Sequence, residues 1–316
     1  MKKIIVFATI ILSVLLLLPL TAISNSQEST PTLIPLEKVP ATSDSFKILN
    51  TSTDQVTEVS AKDYIFGVMA AEMPALYETE ALKAQAVAAY TFAKFRQKEN
   101  KNKSYDLTDD YLSDQCYISK ETAFERWGGN AEEYSAKIEN ILTEVEGLII
   151  KHKNEPILAV YHAISFGTTE SAENVWGRAY PYLVPVSSEG DKLCENYKTV
   201  FEITPENLKQ KFGEEIILSG EAQNYFSNIE KTASGTVKTV NVCGNTVNGS
   251  KLRNLLDLRS SNFDIKYEND KFIFTVYGYG HSVGMSQNGA NYMAKQGADF
   301  KEILNHYYKD CKVEKE

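Results

Sequence analysis

The sequence has few of the residues that build disulfide frameworks or metal centres. It carries only four cysteines and four histidines in 316 residues, with no C-x-x-C or H-x-x-H pair. A disulfide-dense secreted scaffold is therefore excluded, and no tetrahedral metal site is predicted. The four thiols allow three disulfide pairings and their spacing selects none of them, so unpaired core thiols are the default expectation.

Basic charge is also scarce. The chain has 33 basic and 42 acidic side chains, which gives a net charge of −9 without long runs of one sign. A protein that wraps nucleic acid needs a basic face for the phosphates, so that class is not expected. With 43% apolar residues the chain is not disordered and can build a sizeable core.

One long apolar run stands at the N-terminus. Two lysines precede an uncharged stretch over residues 4–23, and its 20 residues are enough to cross a bilayer as a helix. A cleavable signal peptide, cut near Ala22 and Ser24, is the alternative. We expect an uncleaved single-pass anchor over residues 1–24, with the positive charge before it placing everything that follows outside the cytoplasm.

The anchor is followed by a segment without periodicity. Residues 25–45 are rich in Ser, Thr and Pro, which is typical of a flexible linker. Residues 46–316 should then form the functional domain, and an acidic insertion near residues 195–270 is a candidate inserted lobe. Mixed helices and antiparallel strands are predicted, an α+β fold around a substrate groove.

The first informative segment is SAKDYIFGVMAAEMP. Ser60 followed by Asp63 resembles a capping box and predicts a helix start, and Pro74 predicts the helix end. Glu72 falls on the apolar stripe of this helix. Burial and the negative end of the helix dipole would raise the pKa of Glu72, which suits a general acid. A Glu72 that reaches solvent at a frayed end, or that pairs with Lys83, explains the same pattern.

A second helix is predicted to begin near Thr79, which would be its N-cap. Its many alanines allow close helix packing. Gln85 lies on the buried stripe of this helix, where an amide can contact a ligand or satisfy a backbone group.

The second informative segment is a predicted strand over residues 157–164 that feeds the turn SFGTTES and then NVWG. Such a turn presents hydroxyls and backbone amides to a sugar, and Trp176 can stack on a pyranose face. Alternatively, the turn is a structural hinge and Trp176 is a buried core residue.

The third informative segment is a predicted strand over residues 272–277 that enters GYGHSVGMSQNGA. The loop lacks the GK[ST] ending of a phosphate loop, so its glycines are better explained by close backbone approach around His281. A structural histidine is the alternative. A further strand is predicted over residues 236–243.

Together these motifs resemble the stage II sporulation protein D family. The resemblance rests on AAEMP around Glu72, EALKAQAVAA, the turn over residues 165–176 and GYGHSVGMSQNGA, and it extends over about residues 45–312. It implies a membrane-anchored lytic transglycosylase that cuts peptidoglycan during engulfment in endospore formation. Glu72 would be the acid/base that cleaves between N-acetylmuramic acid and N-acetylglucosamine and forms the anhydro sugar.

The resemblance also implies positions around the substrate. The partners implied are glycan strands lacking stem peptides, a cell-wall amidase and a membrane partner of the engulfment machinery. No cofactor is expected, and zinc is not expected near Cys116 because no histidine is close to it in sequence. The predicted substrate-binding residues are Lys83, Gln85, His162, Ser165, Gly167, Glu170, Trp176, His281 and Gln287.

The chain departs from the family at two motif positions. Relatives commonly read AVAARTY where this chain has Tyr90, so an arginine that would help to hold the substrate is missing. Relatives also commonly read GHGVGMSQ where this chain has Ser282, which should restrict the loop slightly.

Other functions fit the same residues. A non-catalytic enhancer of cell-wall amidases would share much of this domain and bind cell wall without cutting it, and a scaffold joining membrane to wall is a third possibility.

Hydrolysis, the alternative reaction, usually needs a second carboxylate. Glu78 and Glu80 are near Glu72 in sequence, but the sequence does not place them across a sugar.

Overall fold

Helices and strands are mixed along the chain in the computed structural model, which describes residues 44–316. The α-helices of this part are α1 Ala61–Glu72, α2 Thr79–Glu99, α3 Lys120–Trp127, α4 Ala131–Glu144, α5 Ala172–Trp176, α6 Pro205–Phe212, α7 Gly249–Leu255, α8 Gln287–Lys295 and α9 Phe300–Tyr307. The strands are β1 Ser45–Asn50, β2 Gln55–Ser60, β3 Leu107–Thr108, β4 Leu148–His152, β5 Glu155–Pro156, β6 Tyr161–His162, β7 Lys198–Ile203, β8 Phe226–Lys231, β9 Val237–Val242, β10 Asn245–Asn248, β11 Phe263–Glu268, β12 Lys271–Tyr277, β13 Met285–Ser286 and β14 Lys312–Lys315. The predicted α+β mixture is confirmed.

The N-terminal predictions fall outside this part of the chain. The expected anchor over residues 1–24 and nearly all of the expected linker over residues 25–45 precede the described residues. Ser45 already begins β1. Between residues 44 and 316, no helix combines the length and the apolar character that a bilayer crossing requires.

The strands form small sheets, and their neighbours are mostly antiparallel. The orders are β2-β1-β3, β10-β9-β8, β11-β12-β7, β13-β6 and β14-β4-β5. The pairs β1–β3 and β13–β6 are parallel. Strands β9 and β12 lie where the sequence predicts strands at 236–243 and 272–277.

Two hydrophobic cores support these elements. The larger one surrounds α1 and α2, with Phe46, Tyr64 and Leu82 fully buried. The second contains buried residues between positions 203 and 276, among them Phe272. This second core overlaps the segment in which the sequence suggests an inserted lobe.

Helix α1 follows its sequence signals. The Ser60 hydroxyl oxygen accepts a hydrogen bond from the Asp63 N–H at 3.1 Å and donates to the Asp63 carboxylate at 2.6 Å. The cap is therefore present, but the short Asp63 side chain meets this hydroxyl and does not complete the reciprocal box. Met73 is extended, with φ −136° and ψ 133°, as a residue before Pro74 must be. Glu72 thus becomes the last helical residue.

Helix α2 begins one residue earlier than expected. Its N-cap is Glu78, whose side chain makes no capping bond, and Thr79 is already helical. The Glu78 N–H donates instead to the side-chain oxygen of Asn291 at 2.8 Å. The start of α2 is thus held by a tertiary contact, and the side-chain cap that the sequence suggests is not formed.

The strand predicted over residues 157–164 is wrong over most of its length, since only β6 is regular there. The backbone of this segment changes partners as it runs. The Val160 carbonyl accepts from the Met285 N–H at 3.2 Å, and the Ile164 N–H donates to Tyr279 at 3.0 Å. Without one continuous neighbour, no longer ladder can form.

All four cysteines belong to the described part and carry free thiols. Each is partly exposed, so none is a fully buried core thiol, although Cys243 and Cys311 pack against the two cores.

Gly67 allows α1 to lie close to the segment that follows α2. A Cβ at this position would lie 2.2 Å from the Ile118 carbonyl oxygen and 2.5 Å from the Tyr117 ring. The same segment brings the Cys116 N–H to the end of α1. The glycine therefore sets the distance between this backbone and Glu72.

We expect Gly67→Ala to lower the free energy of unfolding by about 1–3 kcal/mol, because the added methyl overpacks the contact. Alanine would otherwise be preferred over glycine in a helix by about 1 kcal/mol. Gly129→Ala is the matched control, since no atom lies within 4 Å of its Cβ position and its φ is not positive. Denaturant unfolding measures both, and an unchanged Gly67→Ala protein would contradict the close contact.

Candidate functional site

A groove with a volume of about 360 Å³ opens at the end of α1. Its walls come from segments that are far apart in sequence, and they carry both polar and apolar side chains. The polar and charged lining residues are Glu72, Tyr77, Glu195, Asn196, Arg259, Tyr279, Gln287 and Asn288.

Glu72 is half-buried in this groove. One of its carboxylate oxygens, Oε1, accepts a hydrogen bond from the Cys116 N–H at 2.8 Å. Burial raises the pKa of Glu72 above its ordinary value, and the Cys116 amide opposes this shift without cancelling it. Glu72 therefore keeps its proton to a higher pH than an exposed glutamate does.

Lys83 does not neutralise Glu72. Its ammonium group contacts Glu80 at 2.8 Å and Glu144 at 2.7 Å, and it is not part of the groove lining. The alternative in which Glu72 pairs with Lys83 is wrong. Without a neighbouring cation to favour the carboxylate, burial remains the main influence on the pKa of Glu72.

Asp191 joins the second and third sequence segments. It is fully buried in a 3-10 turn, Glu189–Leu193. Its Oδ2 accepts from the Ser165 N–H at 2.8 Å and from the Ser165 hydroxyl at 2.5 Å, while Oδ1 accepts from the Ser286 hydroxyl at 2.6 Å. Ser286 is also the N-cap of α8. One carboxylate thus fixes the polar turn to the start of the helix that carries Gln287.

The two motif histidines lie together behind the groove lining. The rings of His162 and His281 are 5.7 Å apart, and neither residue lines the groove. Nδ1 of His162 lies 3.1 Å from the Val283 carbonyl, and Nδ1 of His281 accepts from the Val283 N–H at 3.0 Å. Burial lowers the pKa of His162 to about 4. Burial, together with the nearby His162 and Arg253, lowers the pKa of His281 to about 3. Both are neutral at physiological pH.

Trp176 lies beside this histidine pair. Its ring is 5.1 Å from the His281 ring and 44% of the residue is exposed. It stands outside the groove lining. Its surface is open to a ligand, and stacking on a sugar stays a prediction.

The polar turn after β6 makes internal contacts. Ser165 is held by Asp191, and Gly167, at φ +92°, donates its N–H to the Ser165 hydroxyl at 3.1 Å. Glu170 is fully buried and accepts from the Thr232 hydroxyl at 2.5 Å. These three predicted substrate-binding residues shape the turn and do not line the groove.

Gln287 is the predicted binding residue that lines the groove beside Glu72. Its side-chain nitrogen lies 3.5 Å from the Gln85 side-chain oxygen, a long hydrogen bond. Gln85 is fully buried and its own amide nitrogen has no partner among the described residues. Gln85 therefore supports the lining from behind.

Several lining residues escape the sequence analysis. The Tyr77 hydroxyl donates to the Asn288 side chain at 2.8 Å. The Arg259 guanidinium lies 4.5 Å from the centre of the Tyr279 ring and donates to the Asn196 carbonyl at 3.0 Å. None of these residues stands in a periodic pattern. The sequence carries a signal for two of them, since Tyr279 and Asn288 fall within the motif GYGHSVGMSQNGA.

The two departures from the family motifs have different consequences. Tyr90 donates to the Asp44 carboxylate at 2.5 Å and is not a lining residue, so its presence removes no charge from this groove. Ser282 adopts the left-handed conformation at φ +64°, where glycine is less strained. The loop thus keeps a glycine-like shape with a serine.

The described part of the chain contains no cluster of metal-binding side chains. Among residues 44–316, no group of three or more His, Cys, Asp or Glu side chains is arranged to hold an ion. That the protein works without a cofactor stays a prediction.

Comparison with known proteins identifies relatives over most of the chain. The family model described as stage II sporulation protein, SpoIID, matches residues 49–152, which include Glu72 and Cys116. Stage II sporulation protein D of Bacillus subtilis is 35% identical over 280 residues, covering 88% of this chain and 81% of the relative. The protein of the same name from Bacillus amyloliquefaciens is 35% identical over 273 residues, covering 85% and 78%.

A more distant relative carries another name. The amidase enhancer of Bacillus subtilis is 24% identical over 296 residues, covering 77% of this chain and 39% of that protein.

Replacing Asp191 by asparagine should destabilise the fold by about 2–3 kcal/mol, because the amide nitrogen cannot accept from the serine donors. Asp257→Asn provides the same chemical change at an exposed ion pair with Lys211 and should cost at most about 1 kcal/mol. Denaturant unfolding of both variants tests this. Equal small losses would show that Asp191 does not hold the two segments together.

Glu72 should make stability depend on pH in a defined direction. A carboxyl whose pKa is raised on folding binds its proton more tightly in the folded state. Its contribution to stability is therefore lost as pH rises from the ordinary value of 4.5 through the raised folded value. Glu72→Gln cannot titrate and keeps an oxygen for the Cys116 N–H.

The melting temperature of Glu72→Gln, relative to the unmodified protein, should thus increase across this pH window. Melting curves recorded from about pH 4 to about pH 8 measure the difference, and all other titrating groups cancel. A difference that is constant or shrinks with pH would contradict the raised pKa.

Proposed function

This chain belongs to the stage II sporulation protein D family, and on that premise we propose that it is a lytic transglycosylase of the cell wall. The sporulation role follows from the family. The proposed reaction is cleavage between N-acetylmuramic acid and N-acetylglucosamine in peptidoglycan during engulfment in endospore formation. The observation that carries the proposal is a half-buried Glu72 with a raised pKa, facing a groove lined by polar side chains.

One carboxyl can perform both proton transfers of this reaction. Glu72, protonated, donates to the glycosidic oxygen as the bond to the anomeric carbon lengthens. The leaving sugar departs neutral. The Glu72 carboxylate then accepts the proton of the C6 hydroxyl of muramic acid as that oxygen attacks the anomeric carbon, and the anhydro ring closes. No water is consumed.

The surroundings of Glu72 suit both halves of the cycle. Because the Cys116 N–H occupies Oε1, the other oxygen remains for the transferable proton. Burial favours the protonated acid before cleavage, and the amide stabilises the carboxylate that forms afterwards. A pKa between those of an exposed glutamate and a sugar hydroxyl is what an acid/base used twice requires.

The groove offers groups that fit a sugar. Tyr77, Gln287 and Asn288 supply hydroxyl and amide groups for sugar hydroxyls and N-acetyl groups. The Tyr279 residue is 49% exposed and presents an aromatic face of the kind that packs on a pyranose.

A hydrolase would need a second carboxylate in the groove, in addition to Glu72. Glu80 is occupied by Lys83 and by the Phe300 N–H, and neither Glu78 nor Glu80 lines the groove. Glu195 does line it, in an exposed position. The reaction outcome therefore depends on whether Glu195 participates.

The place of action follows from the substrate. Peptidoglycan lies outside the cytoplasmic membrane, so we propose that residues 1–24 anchor the chain and that the catalytic body is extracytoplasmic. Strands without stem peptides, an amidase that removes the peptides and a membrane partner of the engulfment machinery remain the proposed partners.

A non-catalytic amidase enhancer is the second candidate function. The distant relative of that name favours it, at 24% identity over 77% of this chain. Such a protein would bind glycan strands in the same groove and leave them intact.

We expect Glu72→Gln to fold normally and to reduce cleavage of purified glycan strands by at least about 100-fold, because the amide carries no transferable proton. Glu195→Gln, the same change in the same groove, should retain cleavage and anhydro products. Analysis of strand ends by mass spectrometry measures both.

The product analysis separates the candidate functions. Anhydro ends that persist in Glu195→Gln support the transglycosylase. Reducing ends that disappear in Glu195→Gln would identify a hydrolase with two carboxylates, and intact strands that remain bound would favour the enhancer. His281→Ala tests the loop, and unchanged binding and turnover would make His281 structural.

A further inference from the structure

The groove contains a positive charge that the proposed chemistry does not use. Among its lining residues, all of which fall within residues 44–316, Arg259 is the one cation. It follows α7 and lies beside the glycine loop, whose Gly280 N–H donates to the Arg259 carbonyl at 2.9 Å. The backbone of Arg259 is thus fixed next to Tyr279.

The guanidinium group has most of its hydrogen-bonding capacity free. Within the described residues no carboxylate lies within 4.0 Å of it, and its one protein acceptor is the Asn196 carbonyl at 3.0 Å. An arginine has five N–H donors in a planar fork. The Tyr279 ring lies 4.5 Å from the guanidinium carbon, a distance at which a cation–π contact stabilises the position of the group. A pre-positioned fork of this kind matches a carboxylate in two parallel hydrogen bonds.

The charge of Arg259 does not serve Glu72. The pKa of Glu72 is set by burial and by the Cys116 amide, and Arg259 is not among its influences. A cation close to the acid would favour its ionised form and spoil proton donation. Glu195, which shares the groove, forms no ion pair with Arg259 within 4.0 Å. The guanidinium is therefore available to a ligand.

The substrate of the proposed function, on which this inference rests, carries one suitable anion. The lactyl group of N-acetylmuramic acid ends in a carboxylate once the stem peptide has been removed. When the stem peptide is present, that carboxyl is part of an uncharged amide. We propose that Arg259 is a specificity-determining residue that binds the free lactyl carboxylate and thereby selects peptide-free strands. The reaction that supplies this substrate must then be hydrolysis of the lactyl amide.

Binding of two matched glycan strands to the full chain tests this assignment. One is a fluorescently labelled peptide-free strand, and the other is the same strand with its lactyl carboxylates converted to methylamides. Measurements are made on Glu72→Gln so that cleavage does not interfere. We expect the carboxylate strand to bind about 10- to 100-fold more tightly, the range of a charge-assisted hydrogen-bonded contact.

Variants of Arg259 should remove this preference. Adding Arg259→Gln should weaken binding of the carboxylate strand to the level of the methylamide strand and leave the latter nearly unchanged. Arg259→Lys keeps the charge but loses the fork, so it should retain part of the preference. Arg178→Gln is the matched control, because Arg178 also lies over a tyrosine, at 4.9 Å from the Tyr180 ring, but not in the groove.

Each contrary result has a distinct meaning. Equal binding of the two strands to the protein with Arg259 intact overturns the proposal, whatever the variants do. An equal loss for both strands in Arg259→Gln would assign the residue to the support of Asn196. Because binding is measured without turnover, the absence of cleavage by the unmodified protein would refute the transglycosylase and leave this test valid.

Discussion

A single buried carboxylate ties together segments that line the groove. Asp191 has no cation beside it among the described residues and is satisfied by serine hydroxyls and one backbone amide. Its partners belong to the turn after β6 and to the N-terminus of α8, so the carboxylate reinforces the pairing of β6 with β13 and the bond from the Asn288 N–H to the Ala163 carbonyl. A buried acceptor that loses its donors costs several kcal/mol, on the order of 1–3 for each unsatisfied group. The chain that follows Asp191 supplies Cys194, Glu195 and Asn196 to the groove lining.

Two cores contribute opposite parts of the site. The core around α1 and α2 holds Glu72 at a helix end, where proline forces the chain to turn. The second core supports β12 and α7, after which Tyr279 and Arg259 enter the groove. The acid and the cation therefore enter the groove from different cores. In the proposed reaction this arrangement matters, because an acid that donates a proton and a cation that binds an anion have opposite electrostatic requirements.

The motif histidines are held by contacts within their own loop. Val283 meets His162 with its carbonyl and His281 with its N–H, so the two rings are fixed in neutral forms. The low pKa values that burial produces leave neither ring able to act as an acid near neutral pH. Their contacts organise the loop that presents Tyr279, and in the proposed reaction the proton chemistry belongs to Glu72.

The sequence alone determined the features that depend on local periodicity and on residues that begin or end a helix. Ser60 and Pro74 bounded α1, and the helical period placed Glu72 on its buried stripe. Strand positions were predictable where one neighbour pairs along the whole length, as in β12, and not over residues 157–164, where partners change. The tertiary structure decided which side chains share the groove. Asp191, Tyr77 and Arg259 acquire their roles from contacts across long sequence separations, and such contacts leave no period in the chain.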